Sequence, residues 1–334
     1  MHLKSILILL FSVTIYSQEL SNIDLLSLED EGLLEYFETV RHDSLKASFV
    51  ASIYLQRGRQ RGDTIMMARG FDRLAQSFSP YTNIKYTDSV IALTASSKHI
   101  SYPAFGYILK AYNYDKLDQF KKANKYSYIA YDHALEVGNM SQQLYILETF
   151  IFNKVIYGNK KEALALQQKR HRLLVSKAYL KKLYTATRES ARDSINSYYT
   201  KQKTESYLSF AICHLYLAQR DSTQYYLNIV KDLIDSNRPN NIKAMKSLYY
   251  EINMEHYYFT KDYATSLKYN DSLAVFSDFL NANLMNISLF KGLSLYDSGS
   301  NELGLKYLNK ADSVFATGDR INVQQQDNLL FEKL

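Results

Sequence analysis

The stretch Gly304–Phe315, GLKYLNKADSVF, repeats the spacing of Ala123–Ala134, ANKYSYIAYDHA. In each, a small residue is followed by Tyr three positions on and by Ala seven positions on: Gly304, Tyr307 and Ala311 against Ala123, Tyr126 and Ala130. Offsets of three and seven place three residues on one face of a helix. The pattern returns as Thr223, Tyr226 and Val230, and as Ser266, Tyr269 and Leu273. It returns in weaker form as Ala163, Leu166 and Arg170, where an arginine stands at a small-residue position. First positions are 40, 60, 43 and 38 residues apart. An amphipathic stretch precedes most anchors, as in Ala104–Tyr114, Tyr207–Leu217 and Leu289–Tyr296, with a polar turn between at Asp115–Asp118, Gln219–Asp221, Thr260–Asp262 and Asp297–Asn301. Each unit therefore reads as a helical hairpin. A small residue lets the partner helix approach, and Tyr fills the space beside it. One hairpin cannot bury its apolar face alone, so neighbours must stack.

Composition agrees. The 334 residues include only 3 Pro and 11 Gly, against 30 Tyr and no Trp, and 46% are hydrophobic. So few breakers favour long helices joined by short loops over an all-β chain. A single cysteine, Cys213, excludes an internal disulfide framework and any multi-cysteine zinc site. The expected fold is all-α: a helical-hairpin solenoid wound as a right-handed superhelix, with an N-terminal region of degenerate repeats at 18–100 and a regular array at 101–334.

The first 17 residues read as a signal peptide. Lys4 supplies a positive start, SILILLFSVTIY (Ser5–Tyr16) is uncharged and mostly apolar, and Ser17 is a small residue suited to cleavage before Gln18. Twelve residues make a helix of about 18 Å, short of a bilayer core of about 30 Å. The expectation is an exported, periplasmic protein without a membrane span in the given chain. Charge is uneven: residues 19–43 hold eight acids and one Arg, while residues 154–205 hold thirteen Lys or Arg and four acids. For an exported chain the basic stretch reads as the solvated face of helices, so no nucleic-acid partner is expected.

With the hairpins in hand, the chain resembles tetratricopeptide (TPR) repeat proteins. Lys291–Phe315 shows the likeness best, with Gly292 and Leu295 at the small and large positions of a first helix and Gly304 and Ala311 at the small positions of a second. The family's period is shorter than the spacing of about 40 seen here, which implies longer helices or loops. A narrower resemblance rests on GDTIMMARGFDRLA (Gly62–Ala75), YTDSVIAL (Tyr86–Leu93) and YPAFGYILKAY (Tyr102–Tyr112). These are similar to the extracytoplasmic TPR sensor region of AraC-type helix-turn-helix regulators of the Bacteroidota. The chain as given ends at Leu334 without a membrane helix or DNA-binding domain. Two expectations stay open: a free-standing sensor or scaffold, and the input half of a membrane-anchored regulator.

Chemistry is sparse. The seven histidines form no metal-binding spacing, and no nucleophile elbow, Walker loop or dinucleotide fingerprint occurs. Cys213 and His214 are adjacent and point about 100° apart on a helix, which suits a buried thiol beside a packed imidazole. Glu251 and Glu255 lie one turn apart, and two glutamates on an exposed face is the plain reading. No enzyme, cofactor or metal is expected. What remains is binding, since the resemblance implies that the first helix of each hairpin lines a groove. The candidate groove residues are Phe105, Tyr112, Tyr145, Glu148, Glu251, Glu255, Tyr258 and Tyr296, a Tyr- and Glu-bearing surface suited to an extended peptide or protein of the cell envelope.

Overall fold

The computed structural model describes residues 25–185, 192–236, 242–276 and 281–317; the signal-peptide segment and the C-terminal NVQQQDNLLFEKL lie outside them. The described residues form fifteen helices and no strand. The chain divides into two compact units, with the boundary between Ile146 and Leu147.

The first unit holds α1 (Asp30–Val40), α2 (Ser44–Arg61), α3 (Thr64–Leu74), α4 (Pro80–Thr94), α5 (Ala104–Asp115), α6 (Phe120–Glu136) and the start of α7 (Met140–Tyr157). From α1 to α6 consecutive helices pack in sequence, most closely in the pairs α2–α3 and α5–α6. Leu33, Phe37, Val50, Tyr54, Leu55 and Met66 form the core between α1, α2 and α3. In the α5–α6 hairpin, Ala123 and Ala130 are buried and the Tyr126 ring stacks on Tyr107 and Tyr114 of α5, with centroids 6.1 and 5.5 Å apart.

The second unit continues from α7 through α8 (Lys160–Leu174), α9 (Lys177–Thr185), α10 (Arg192–Tyr216), α11 (Arg220–Ser236), α12 (Ile242–Phe259), α13 (Tyr263–Ala274), α14 (Asn281–Asp297) and α15 (Asn301–Thr317). Its hairpins are α10–α11, α12–α13 and α14–α15, and the first helices also touch one another, α10 on α12 and α12 on α14. That is solenoid packing: successive hairpins stack with their first helices in contact. On the second helices Thr223, Ser266, Ala163 and Ala311 are fully buried. Tyr226 stacks on Phe210 at 4.7 Å and His214 at 5.4 Å, and Tyr269 stacks on Tyr257 at 5.6 Å. Tyr307 instead has the Lys291 ammonium 5.2 Å from its ring centroid. Cys213 sits fully buried with Ile151, Val155 and Ala163, and burial pushes its thiol up to about 12.

The turn inside each hairpin is the same device. Gly62, Asp118, Ala218, Lys261 and Gly299 all have positive φ, between 56° and 95°. In each, the positive-φ residue donates its N–H three residues back and its successor donates five residues back, as in Ala218 to Leu215 and Gln219 to His214. This is the Schellman closure, which satisfies helix-end carbonyls and favours glycine because a Cβ is strained in the left-handed region. The next residue then opens the second helix; Asp63 and Asp262 accept from the N–H groups of Met66 and Thr265 at 2.9 and 3.1 Å. Three of the five turns lack glycine, so Ala218→Gly and Lys261→Gly should each stabilise the second unit by about 0.5–1 kcal/mol. Urea unfolding followed by circular dichroism measures this, and unchanged midpoints would contradict it.

Candidate functional site

Two concave sites lie one in each unit. The first is an open groove of about 1130 Å³ reached by α1, α3, α5 and the start of α7. Three of the expected groove residues, Phe105, Tyr112 and Tyr145, line it. Tyr112 and Tyr145 are 51% and 54% exposed, large aromatic surfaces facing water. Around them stand Arg41, Arg69, Arg73 and Lys116, with Glu38 and Asp72 as the acids. Part of that charge is spent internally: Arg41 bonds Glu38 at 3.2 Å, Arg73 bonds Asp72 at 3.0 Å, and the Lys116 ammonium lies 4.4 Å from the Tyr112 ring centroid. Asp72 is buried and also accepts the Tyr102 hydroxyl. Burial pushes its carboxyl up to about 6, against the pull of Arg73.

The second site is a closer cavity of about 300 Å³ in the second unit. Its walls come from four first helices: Phe152 and Val155 of α7, Ile212 and Tyr216 of α10, Ile252 of α12, and Leu289 of α14. Glu148, Glu251 and Glu255, all expected groove residues, line the same cavity. Spacing alone suggests that Glu251 and Glu255 stand on an exposed face; the structure corrects this. Glu255 is only 7% exposed, because α10 and α14 flank α12 and cover the face that carries the pair. Glu251 accepts from the Asn286 amide of α14 at 2.7 Å, and Glu255 accepts from the Tyr216 hydroxyl of α10 at 3.4 Å. Burial pushes the Glu255 carboxyl up to about 8, Glu251 adds to the rise, and the Tyr216 bond works against it. Burial raises Glu251 as well, with Asn286 opposing. Tyr216, facing Glu255, is held well above the ordinary phenol range.

The third acid differs. Glu148 has its own cation, Arg170 of α8, at 3.1 Å. Arg170 is 4% exposed and is the residue that breaks the small-residue pattern of the repeat. The irregularity in the sequence thus marks a buried arginine that reaches a half-exposed glutamate at the edge of the cavity. The remaining two expected residues line neither site. Tyr258 donates its hydroxyl to Asp297 at 3.0 Å, and Tyr296 is 43% exposed where α14 meets α15.

Sequence reasoning missed Asn286, Tyr216 and the buried Asp72–Tyr102 pair. Each takes its place from a partner 30 to 39 residues away, and no local pattern marks it. Among the described residues, no group of three or more His, Cys, Asp or Glu is placed to hold a metal ion. Among the same residues no helix is long and apolar enough to cross a membrane. No protein-family model matches the chain, and no curated protein is significantly similar to it.

Proposed function

We propose that the chain is an exported, TPR-like module that binds protein or peptide segments in the cell envelope through its first-helix face, as a sensor or scaffold. The observation that carries this is the groove of the first unit, where Phe105, Tyr112 and Tyr145 stand together on α5 and α7 and two of the three are more than half exposed. Rigid aromatic surface in a concave site is what interfaces use as anchors, because Tyr offers large contact area for two side-chain torsions. The basic rim of Arg41, Arg69 and Lys116 favours a segment that carries acidic residues beside its apolar ones. The TPR-like repeat spacing, the signal-peptide reading of residues 1–17 and the periplasmic location belong to this same reading.

A displayed library of extended peptides tests it. Wild-type protein should enrich a set of related sequences, and Tyr112→Ala with Tyr145→Ala should weaken their binding at least tenfold, the loss of about 1.4 kcal/mol or more that truncating an anchor brings. No enrichment, or enrichment that the double variant keeps, would overturn the reading. A second reading is favoured by the resemblance of 62–75, 86–93 and 102–112 to sensor regions of AraC-type regulators. In it the same groove is the input site of a membrane-anchored transcriptional regulator.

A further inference from the structure

The cavity of the second unit pairs two features that do not explain each other. Its walls are mostly aliphatic and aromatic, and into them α12 carries two carboxyls four residues apart. An acid buried in an apolar wall is costly unless it is paired or protonated. Glu148, at the open edge of the cavity with its side chain 47% exposed, has both water and Arg170 at 3.1 Å to hold its charge. Glu255 is treated otherwise. It is 7% exposed, and its hydrogen bond from the described residues is the one from the Tyr216 hydroxyl, long at 3.4 Å. A carboxylate has about four acceptor positions, so most of this one's capacity is unfilled. Glu251 uses one oxygen on Asn286.

The charged and titratable groups around the pair are few. On α12 itself there are Glu251 and Glu255; α10 brings Tyr216, α14 brings the neutral Asn286, and α7 brings Glu148. Behind them α8 brings Arg170, committed to Glu148, and Lys160, whose ammonium lies 5.3 Å from the Tyr216 ring centroid. Among the described residues, no cation lies within ion-pair distance of either Glu251 or Glu255. What the cavity lacks is one positive charge on a narrow apolar stem. Its volume, about 300 Å³, is at the small end for ligand pockets, enough for a single side chain or small amine and too little for a folded element.

We propose that this cavity binds an organic cation, a primary ammonium or guanidinium on an aliphatic stem, with the head between Glu255 and Glu251 and the stem against Ile212, Ile252 and Leu289. The inference rests on the reading of the first-helix layer as the binding face. Two sources share the chemistry: a lysine or arginine side chain of a bound peptide, and a free alkylamine. On binding, Glu255 gives its proton to solvent and becomes the carboxylate partner of the cation. Affinity therefore rises with pH up to about 8, where the free carboxyl is already ionised, and levels off above it.

Calorimetric titration of the full chain with n-pentylamine and with N-acetyl-lysine amide tests this, using 1-pentanol and N-acetyl-norleucine amide as uncharged counterparts. The expected result is at least tenfold tighter binding of the cation than of its counterpart at pH 8, shrinking toward pH 6. Glu255→Gln removes the charge without removing apolar volume, and should abolish the preference while circular dichroism stays unchanged. Glu251→Gln should reduce it. Binding of pentylamine alone would support the site and identify a free amine as its ligand; binding of the lysine amide as well would support a peptide side chain. Equal binding of charged and uncharged probes, binding of neither, or a preference that survives Glu255→Gln would overturn the proposal. Peptides held through Tyr112 and Tyr145 with no amine preference would sink this inference and leave the proposed function standing. Amine binding without groove-dependent peptides would do the reverse.

Discussion

Gly304→Ala should destabilise the last hairpin by about 2–3 kcal/mol, although alanine is the better helix former by about 1 kcal/mol. A Cβ at Gly304 would lie 2.7 Å from the Tyr296 backbone nitrogen and 2.9 Å from the Gly292 carbonyl oxygen. Both are backbone atoms of α14, so no rotamer change relieves the clash, and the two helices must separate. Separation then strips contacts from the whole crossing, because the approach is equally tight from the other side, where a Cβ at Gly292 would lie 2.9 Å from the Leu308 nitrogen. Gly32→Ala in α1 is the control. Its Cβ would meet only Leu28 at 3.7 Å, an ordinary contact, so this variant should gain about 0.5–1 kcal/mol. Urea unfolding by circular dichroism reads both changes, and hydrogen exchange should localise the Gly304→Ala loss to α14 and α15. A Gly304→Ala variant as stable as wild type would mean that these helices do not meet at their glycines.

Stability should fall as pH rises from 4.5 to 8, and Glu255 should be the largest single cause. Its folded-state carboxyl is raised from 4.5 to about 8, so within that window the folded protein keeps a proton that the unfolded chain releases. The unfolded state binds fewer protons there, which makes the slope of stability with pH negative. Glu255's contribution is complete below pH 4.5, is lost as pH climbs to 8, and is constant above it. At 1.36 kcal/mol per pH unit the limit is roughly 5 kcal/mol; relaxation and water entry bring the expected loss to about 2–4 kcal/mol. Glu251, Glu205 and Asp72 are also raised by burial and act in the same direction. His171 and His256 are lowered by burial, so each stays neutral in the fold and costs stability as pH falls below 6.5. The two histidines therefore oppose the carboxyls at the acid end, and the difference between wild type and Glu255→Gln isolates the glutamate. The two proteins should be equally stable near pH 4.5, and the variant should be the more stable above pH 8. Parallel curves across the range would show that Glu255 is solvated.

The hairpin spacing was legible because it is local. Residues three and seven apart share a helix face whatever else the chain does, and a small residue followed by Tyr states which neighbour can approach. The Gly304–Phe315 stretch therefore yields the α15 face and, with Gly292, the close crossing with α14. The closely packed α2–α3 hairpin was less visible. Gly58 and Gly70 mark the same close approach there, to Met67 and Leu55, and Ala51, Tyr54 and Gly58 carry the same offsets, but on the first helix of the pair rather than the second. Most turn positions were legible: the polar turns at Asp115–Asp118, Thr260–Asp262 and Asp297–Asn301 contain Asp118, Lys261 and Gly299, and Gln219–Asp221 begins one residue after Ala218. Which residue takes the left-handed conformation was not legible where glycine is absent, because Ala218 and Lys261 adopt it only where the packed helices on either side require the turn.

The sites divide along the same line. The sequence by itself determined that the chain is helical, that its helices pair as hairpins, and that Glu251 and Glu255 share one face of one helix. It also held the anomaly of Arg170 in a small-residue position. Only the tertiary structure decided that this face is covered rather than solvated. The reason is that burial of Glu255 depends on Tyr216, Asn286 and the apolar residues of three other helices, each brought to the cavity across tens of residues by the stacking of hairpins. A helix face declares its own chemistry, but its dielectric surroundings belong to whatever packs against it.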